Sequence, residues 1–105
     1  MVKHVLMWQL KEEITPEQAA RIKKEAKEAL EGLVGVVPGL VEAHVIIDGL
    51  PTSNAAFMLD ATLTDEEALK GYATHPAHVD VANSNVRPYT RTRVCMDYVS
   101  GGLNA

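Results

Sequence analysis

The stretch that decides the fold is Val2-Lys3-His4-Val5-Leu6-Met7-Trp8-Gln9-Leu10-Lys11, close to the N-terminal end of the chain. It is rich in side chains that favour β-strands, and alternate residues separate into two sets. One set is His4, Leu6, Trp8 and Leu10, and the other is Val5, Met7 and Gln9. Because both sets contain apolar groups, the pattern predicts a strand that is covered on both faces.

The segment after this strand carries the signals of a helix start. Thr15 can cap the helix, Pro16 suits its first position, and Gln18 completes a capping box. Apolar residues then recur at helical spacing until Gly32 and Gly35 end the helix.

Two further strands are predicted in the middle of the chain, over residues 40–50 and 55–63. Alternation in the first of them places one set of side chains on a common face, namely Val41, Ala43, Val45 and Ile47. The residues between the two strands, Gly49 to Asn54, are a loop by composition.

The second half of the chain repeats the pattern of helix and strand. A second capping box, over residues 64–67, opens a second helix. His75 precedes a proline, which disfavours helical backbone, so the helix is interrupted there and a new helical segment starts at Pro76. That segment holds Val79, Ala82 and Val86. The last strand is predicted over residues 90–100, followed by a flexible tail over residues 101–105.

The order strand, helix, strand, strand, helix, strand predicts one α+β domain over residues 1–100. Two such units form a ferredoxin-like βαββαβ sandwich with an antiparallel sheet. The helices suffice to cover one face of the sheet, although every strand has apolar groups on both faces. We therefore expect a second copy of the chain to cover the other face, so that a homodimer forms an α/β barrel.

Composition excludes several classes of partner. The net charge is −4 and there is no basic cluster with interleaved aromatic residues, so nucleic acid is not an expected partner. No apolar run is long enough to span a membrane. The single cysteine, Cys95, excludes an intrachain disulfide and suits a reducing compartment, and no signal peptide is recognisable, so a cytoplasmic location is expected.

The stretch Tyr72–His78 concentrates groups that can move protons near neutral pH. Burial and a helix N-terminus should lower the pKa of His78, leaving a neutral imidazole that accepts a proton. Tyr72 can donate a hydrogen bond to a developing oxyanion. The alternative is that His78 only joins two helical pieces. His75 is expected to cap the next helical segment, and His4 either lines a cavity or is a satisfied core histidine.

Several motifs together resemble the stress-responsive dimeric α/β-barrel (Dabb) domain family. The resemblance covers Val2 to about Val99, and the motif of tyrosine, His-Pro and histidine is its most specific part. The motifs are Lys3-His4-Val5, Glu13-Ile14-Thr15, Val37-Pro38-Gly39, Tyr72-x-x-His75-Pro76-x-His78-Val79, Val86-Arg87-Pro88 and Val94-Cys95-Met96-Asp97-Tyr98.

The resemblance implies a site, because the family includes plant polyketide cyclases related to olivetolic acid cyclase. Carried over residue by residue, the catalytic candidates are His78 as general base, Tyr72 as hydrogen-bond donor and His4 as orienting group. Trp8, Phe57 and Val79 are the expected ligand-binding residues.

The resemblance also bears on ions and on specificity. Plant members can hold a cation on main-chain carbonyls of one loop, which here runs through Val34, Val37 and Leu40 and would take Mg²⁺ or Na⁺. No organic cofactor is implied and no transition-metal site is expected. The chain departs from the cyclases at Phe57, where they have a histidine, and at Ala26, where they have a tyrosine, so a specific cyclase activity does not transfer.

The sequence is compatible with two functions. The chain either binds or converts a small hydrophobic carbonyl compound by acid–base chemistry, or is a non-catalytic, ligand-binding or stress-associated dimer. A void of roughly a few hundred Å³ beside Tyr72 and His78 would favour the first. A void closed by Phe57, Trp8 and Met58 would exclude the enzyme and leave the second.

Overall fold

The computed structural model describes residues 1–101 and shows four strands and three α-helices. In chain order the elements are β1 (Val2–Leu10), α1 (Pro16–Glu31), β2 (Leu40–Ile46), β3 (Phe57–Leu63), α2 (Glu66–Thr74), α3 (Pro76–Val81) and β4 (Thr90–Val99). The strands form one antiparallel sheet in the order β2-β3-β1-β4. The predicted ferredoxin-like α+β fold is confirmed. The predicted tail falls mostly outside the described residues, which end at Gly101.

The helix starts follow from local side-chain chemistry. Thr15 accepts from the amide of Gln18, whose side chain accepts from the amide of Thr15, so the predicted capping box is present. At α2 the expected box is replaced by a single cap, in which Asp65 accepts from the amide of Ala68. Aspartate can cap one residue later than the predicted threonine, and α2 accordingly begins at Glu66.

The inner face of the sheet packs against α1 and α2. The strands contribute Leu6, Trp8, Leu59 and Leu63 to the hydrophobic core, and α1 contributes Leu30. Each of these side chains is at most 5% exposed. The alternation predicted for β1 is confirmed, since Val2, His4, Leu6 and Trp8 are buried.

In β2 the predicted alternation of side chains fails at the start of the strand. The register against β3 shifts between Leu40 and Glu42, so Val41 is an extra residue in the strand. This bulge turns Leu40 into the core with Ala43 and Val45, and leaves Val41 44% exposed. The strand also ends at Ile46, before the predicted residue 50, and β3 begins at Phe57 and not at residue 55.

The chain between α2 and β4 is helical but irregular. His75 is extended and ends α2, as expected for a residue before proline, and its Nδ1 accepts from the amide of Ala77 to cap α3. The predicted continuation through Ala82 and Val86 is a wider π-helical turn, in which the amide of Arg87 donates to the carbonyl of Ala82. Both Ala82 and Val86 are buried, so the turn faces the core.

The outer face of the sheet differs from the inner one because no helix covers it. Large apolar side chains lie exposed there on three strands, namely Met7, Ile46, Val94, Met96 and Tyr98. Met96 is the most exposed of these, at 69%. In the described residues, no helix is long and apolar enough to cross a membrane.

Candidate functional site

A cavity of about 90 Å³ lies between the inner face of the sheet and the helices. Four of the predicted site residues line it: His4, Trp8, Tyr72 and His78. The rest of the lining is mostly apolar, from Leu6, Leu30, Leu59, Leu69, Ala73, Ala82 and Val86, together with Arg87 and Arg93. The cavity is smaller than the expected few hundred Å³, so it suits only a ligand with few non-hydrogen atoms.

The three candidate catalytic rings form one continuous contact. The ring centroids of Tyr72 and His78 are 4.2 Å apart, and those of His4 and Tyr72 are 5.7 Å apart in an edge-on arrangement. Tyr72 comes from α2, His78 from α3 and His4 from β1. The extended backbone at His75 separates α2 from α3 and lets the two helices differ in direction. The rings of Tyr72 and His78 can therefore meet.

His78 has the properties of a proton acceptor. Burial is the largest influence on its pKa and lowers it, and His4, Arg87 and Arg93 act in the same direction. A backbone hydrogen bond at Ala73 opposes them, but the net shift is downward. Nδ1 of His78 is buried without a hydrogen-bond partner in the described residues. The imidazole is therefore favoured in its neutral form.

Tyr72 has the complementary property. The residue is 2% exposed, and burial raises its pKa to about 12. The phenol therefore keeps its proton at neutral pH and can donate a hydrogen bond to an oxygen that gains negative charge.

His4 both lines the cavity and is satisfied in the core, so both sequence alternatives hold. It is 7% exposed, and its Nδ1 donates to the carboxylate of Asp97 on β4. The contact with Asp97 fixes the orientation of the His4 ring in the cavity wall. Asp97 belongs to the motif of residues 94–98, yet the sequence assigned it no role, because its contact with His4 depends on the pairing of β1 with β4.

The other two predicted ligand-binding residues lie elsewhere. Phe57 stacks on Trp8 with ring centroids 4.7 Å apart and is 2% exposed, so it supports the tryptophan from the core. Val79 is half-buried on α3 and is not part of the cavity lining. Two exposed arginines, Arg87 and Arg93, also line the cavity.

One group of side chains has metal-ligating chemistry. Donor atoms of His4, Cys95 and Asp97 lie within 4.8 Å of one another. Burial and the neighbouring Asp97 raise the pKa of the Cys95 thiol, and Nδ1 of His4 is already bonded to Asp97. In the loop that was expected to offer main-chain ligands, the carbonyl of Val37 accepts from the amide of Leu40.

Comparison with known proteins decides the family. The sequence model of the stress-responsive A/B barrel domain matches residues 2–100. The chain belongs to the Dabb family. Among curated proteins, no sequence matches this one significantly.

Solved structures place this Dabb chain among proteins of the same fold. A dimeric protein of unknown function with a ferredoxin-like fold from Bacteroides fragilis is 26% identical, with a TM-score of 0.86 over 92% of this chain and 93% of that one. A Dabb family protein from Mesorhizobium loti is 22% identical, with a TM-score of 0.73 over 96% and 97% of the two chains. The hydroxynitrile lyase of Passiflora edulis is 15% identical, with a TM-score of 0.71 over 95% and 93%. At the two lower identities the likeness concerns the fold.

Proposed function

We propose that this Dabb protein binds a small carbonyl compound in the inner cavity and transfers a proton at the carbon next to the carbonyl. The observation that carries the proposal is the contact of His78 with Tyr72 inside one mostly apolar cavity. A base that is favoured neutral and an acid that keeps its proton are the two groups that enolisation needs.

The proposed step uses only side chains of this chain. The neutral imidazole of His78 takes a proton from the carbon, and the electron pair of the broken C–H bond forms the C=C bond of an enolate. The carbonyl oxygen gains the negative charge and accepts a hydrogen bond from Tyr72. His4, held by Asp97, orients the substrate. In an exchange reaction the imidazolium N–H of His78 first exchanges with solvent and then returns a proton to the carbon. In an aldol reaction the enolate carbon attacks a second carbonyl, and the alkoxide that forms takes the proton from His78.

The experiment that tests the proposal is hydrogen exchange of small ketones in D₂O, followed by proton NMR. A panel from acetone upward covers the size of the cavity. We expect the protein to speed exchange of the protons next to the carbonyl, and Tyr72→Phe to slow it about 100-fold because one oxyanion donor is lost. Exchange at the buffer rate with every ketone would overturn the proposal.

A second candidate function follows from the volume of the cavity. A cavity of about 90 Å³ holds a small ligand but leaves little room for a second reactant. This volume favours a non-catalytic binding protein over an aldol reaction. The same NMR samples separate the two functions. Shifted signals of Ala73 and Ala82 with no exchange would support binding alone.

We also propose that the chain forms a homodimer through the outer face of the sheet. The exposed apolar side chains of β1 and β4 support this, including Met7, Val94 and Met96. Related proteins from Bacteroides fragilis and Thermobifida fusca are described as dimeric. Pairing through this face leaves the inner cavity of each chain to its own ligand. Light scattering should give the mass of two chains at micromolar concentration, and the mass of one chain would contradict the proposal.

A further inference from the structure

Two arginines give the cavity a charge that enolisation alone does not require. Arg87 follows the π-helical turn and Arg93 lies on β4, and both line the same cavity as Tyr72 and His78. Among residues 1–101, no aspartate or glutamate is part of that lining. Both arginines are exposed, so they form the solvent-facing side of this lining, where their attraction for an anion weakens as salt is added.

The partners of the neighbouring arginines show which of them are available. Arg91 is held by Glu12, at 3.1 Å from its carboxylate. Within residues 1–101 no carboxylate pairs with Arg87 or Arg93. Arg87 instead donates to the amide oxygen of Asn83 at 2.6 Å, a neutral contact that fixes one edge of the guanidinium. Asp97, the nearest acid on β4, is bonded to His4.

We infer that the ligand of this cavity is a small oxo acid, with its carbonyl at Tyr72 and His78 and its carboxylate at Arg87 and Arg93. The inference rests on the proposed function and specifies its substrate class. Guanidinium groups match carboxylates in shape and charge, and two unpaired guanidiniums at one cavity leave a place for such an anion. The apolar wall accommodates the hydrocarbon part.

The arginines would also assist the reaction. Loss of a proton from an oxo acid creates a second negative charge on a substrate that already carries one. Positive groups that interact more strongly with the doubly charged enolate than with the substrate lower the barrier to its formation. The enolate of a neutral ketone, which has no carboxylate, would be stabilised only by the hydrogen bond from Tyr72.

The test compares pyruvate with pyruvamide, which has the same number of non-hydrogen atoms and no charge. Binding is measured by NMR titration of the isotope-labelled protein, using the amide signals of cavity residues such as Ala73 and Ala82. We expect pyruvate to bind roughly ten-fold more tightly than pyruvamide. Arg93→Gln should remove that preference, and added salt should weaken the binding of pyruvate alone.

Arg91→Gln is the matched control, because it removes the same charge from the same strand at a residue already paired with Glu12. It should leave the preference for pyruvate intact. The inference would be overturned if pyruvate and pyruvamide bound equally well, or if Arg93→Gln and Arg91→Gln reduced the preference for pyruvate equally. Either result would leave the proposed function standing. Binding of neither probe at the cavity would also overturn the inference, whereas the proposed function falls only if no ketone of the panel exchanges faster than in buffer.

Discussion

The inner and outer faces of the sheet are both apolar, yet only the inner face is covered by helices. Leu59 and Leu63, on the inner face, are at most 2% exposed, whereas Val94 and Met96, on the outer face, are more than 60% exposed. The same alternation in sequence therefore has two consequences. One face forms the core and carries the cavity, and the other is left for a second chain.

The difference also separates chemistry from assembly. Every candidate catalytic group lies on the inner side of the sheet, where burial shifts the pKa values of Tyr72 and His78 in opposite directions. Shifts of this kind require a low-dielectric surrounding, which the helices provide on the inner side.

The largest expected contrast between the faces is in stability. Leu59→Ala should lower the free energy of unfolding by about 3–5 kcal/mol, because it leaves a cavity in a packed core. Met96→Ala should change it by within about 0.5 kcal/mol for separated chains, since the side chain is already exposed. Urea unfolding at low protein concentration measures both. Similar losses in the two variants would mean that the outer face is packed within a single chain.

The second contrast is a pH dependence that belongs to the inner face. The pKa of Tyr72 is about 12 in the folded chain, against 10.0 for an ordinary tyrosine. The unfolded chain therefore releases this proton first, and stability falls as the pH rises from 10 toward 12, by about 3 kcal/mol in total. Tyr72→Phe should remove that part of the fall. Unfolding experiments between pH 10 and 12 measure this fall in stability. If Tyr72→Phe loses the same stability as the wild type over that range, burial does not raise the pKa of Tyr72.

The third contrast concerns association through the outer face. Val94→Asp places a charge on the proposed contact and should raise the dimer dissociation constant by roughly thirty-fold or more, about 2 kcal/mol. Leu50→Asp is the control, because Leu50 is an exposed apolar residue, even more exposed than Val94, in the loop between β2 and β3. Light scattering over a dilution series should separate the two variants. Dissociation in both, or in neither, would place the contact elsewhere.

The sequence predicted those features that depend on local pattern. The alternation of β1, the capping box at Thr15 and the break at His75-Pro76 need only neighbouring residues, and all three are present. The bulge at Val41 was missed because an inserted residue leaves the apolar alternation ambiguous on a strand with Val at several positions. The side-chain alternation therefore grouped Val41 with Ala43 and Val45, whereas Leu40 takes that place in the core.

The site was predicted less completely because parts of it depend on strand pairing. Asp97 meets His4 through the register of β1 and β4, which joins residues 93 positions apart. Arg93 reaches the cavity through the same pairing. No spacing within the sequence reports such contacts, and the volume of a cavity depends on how several side chains pack at once. The family motif located Tyr72 and His78 because both lie within one short stretch.

The central claim is that two histidines of one motif have different tasks, His78 accepting a proton and His75 capping α3. The most direct measurement is the rate of proton exchange of a bound ketone in D₂O with His78→Gln and with His75→Asn, which keeps a capping side chain. Circular dichroism shows whether each variant remains folded. We expect the exchange rate to fall at least about 100-fold in folded His78→Gln and to stay within about two-fold of wild type in His75→Asn. Equal rates in the two variants would contradict it.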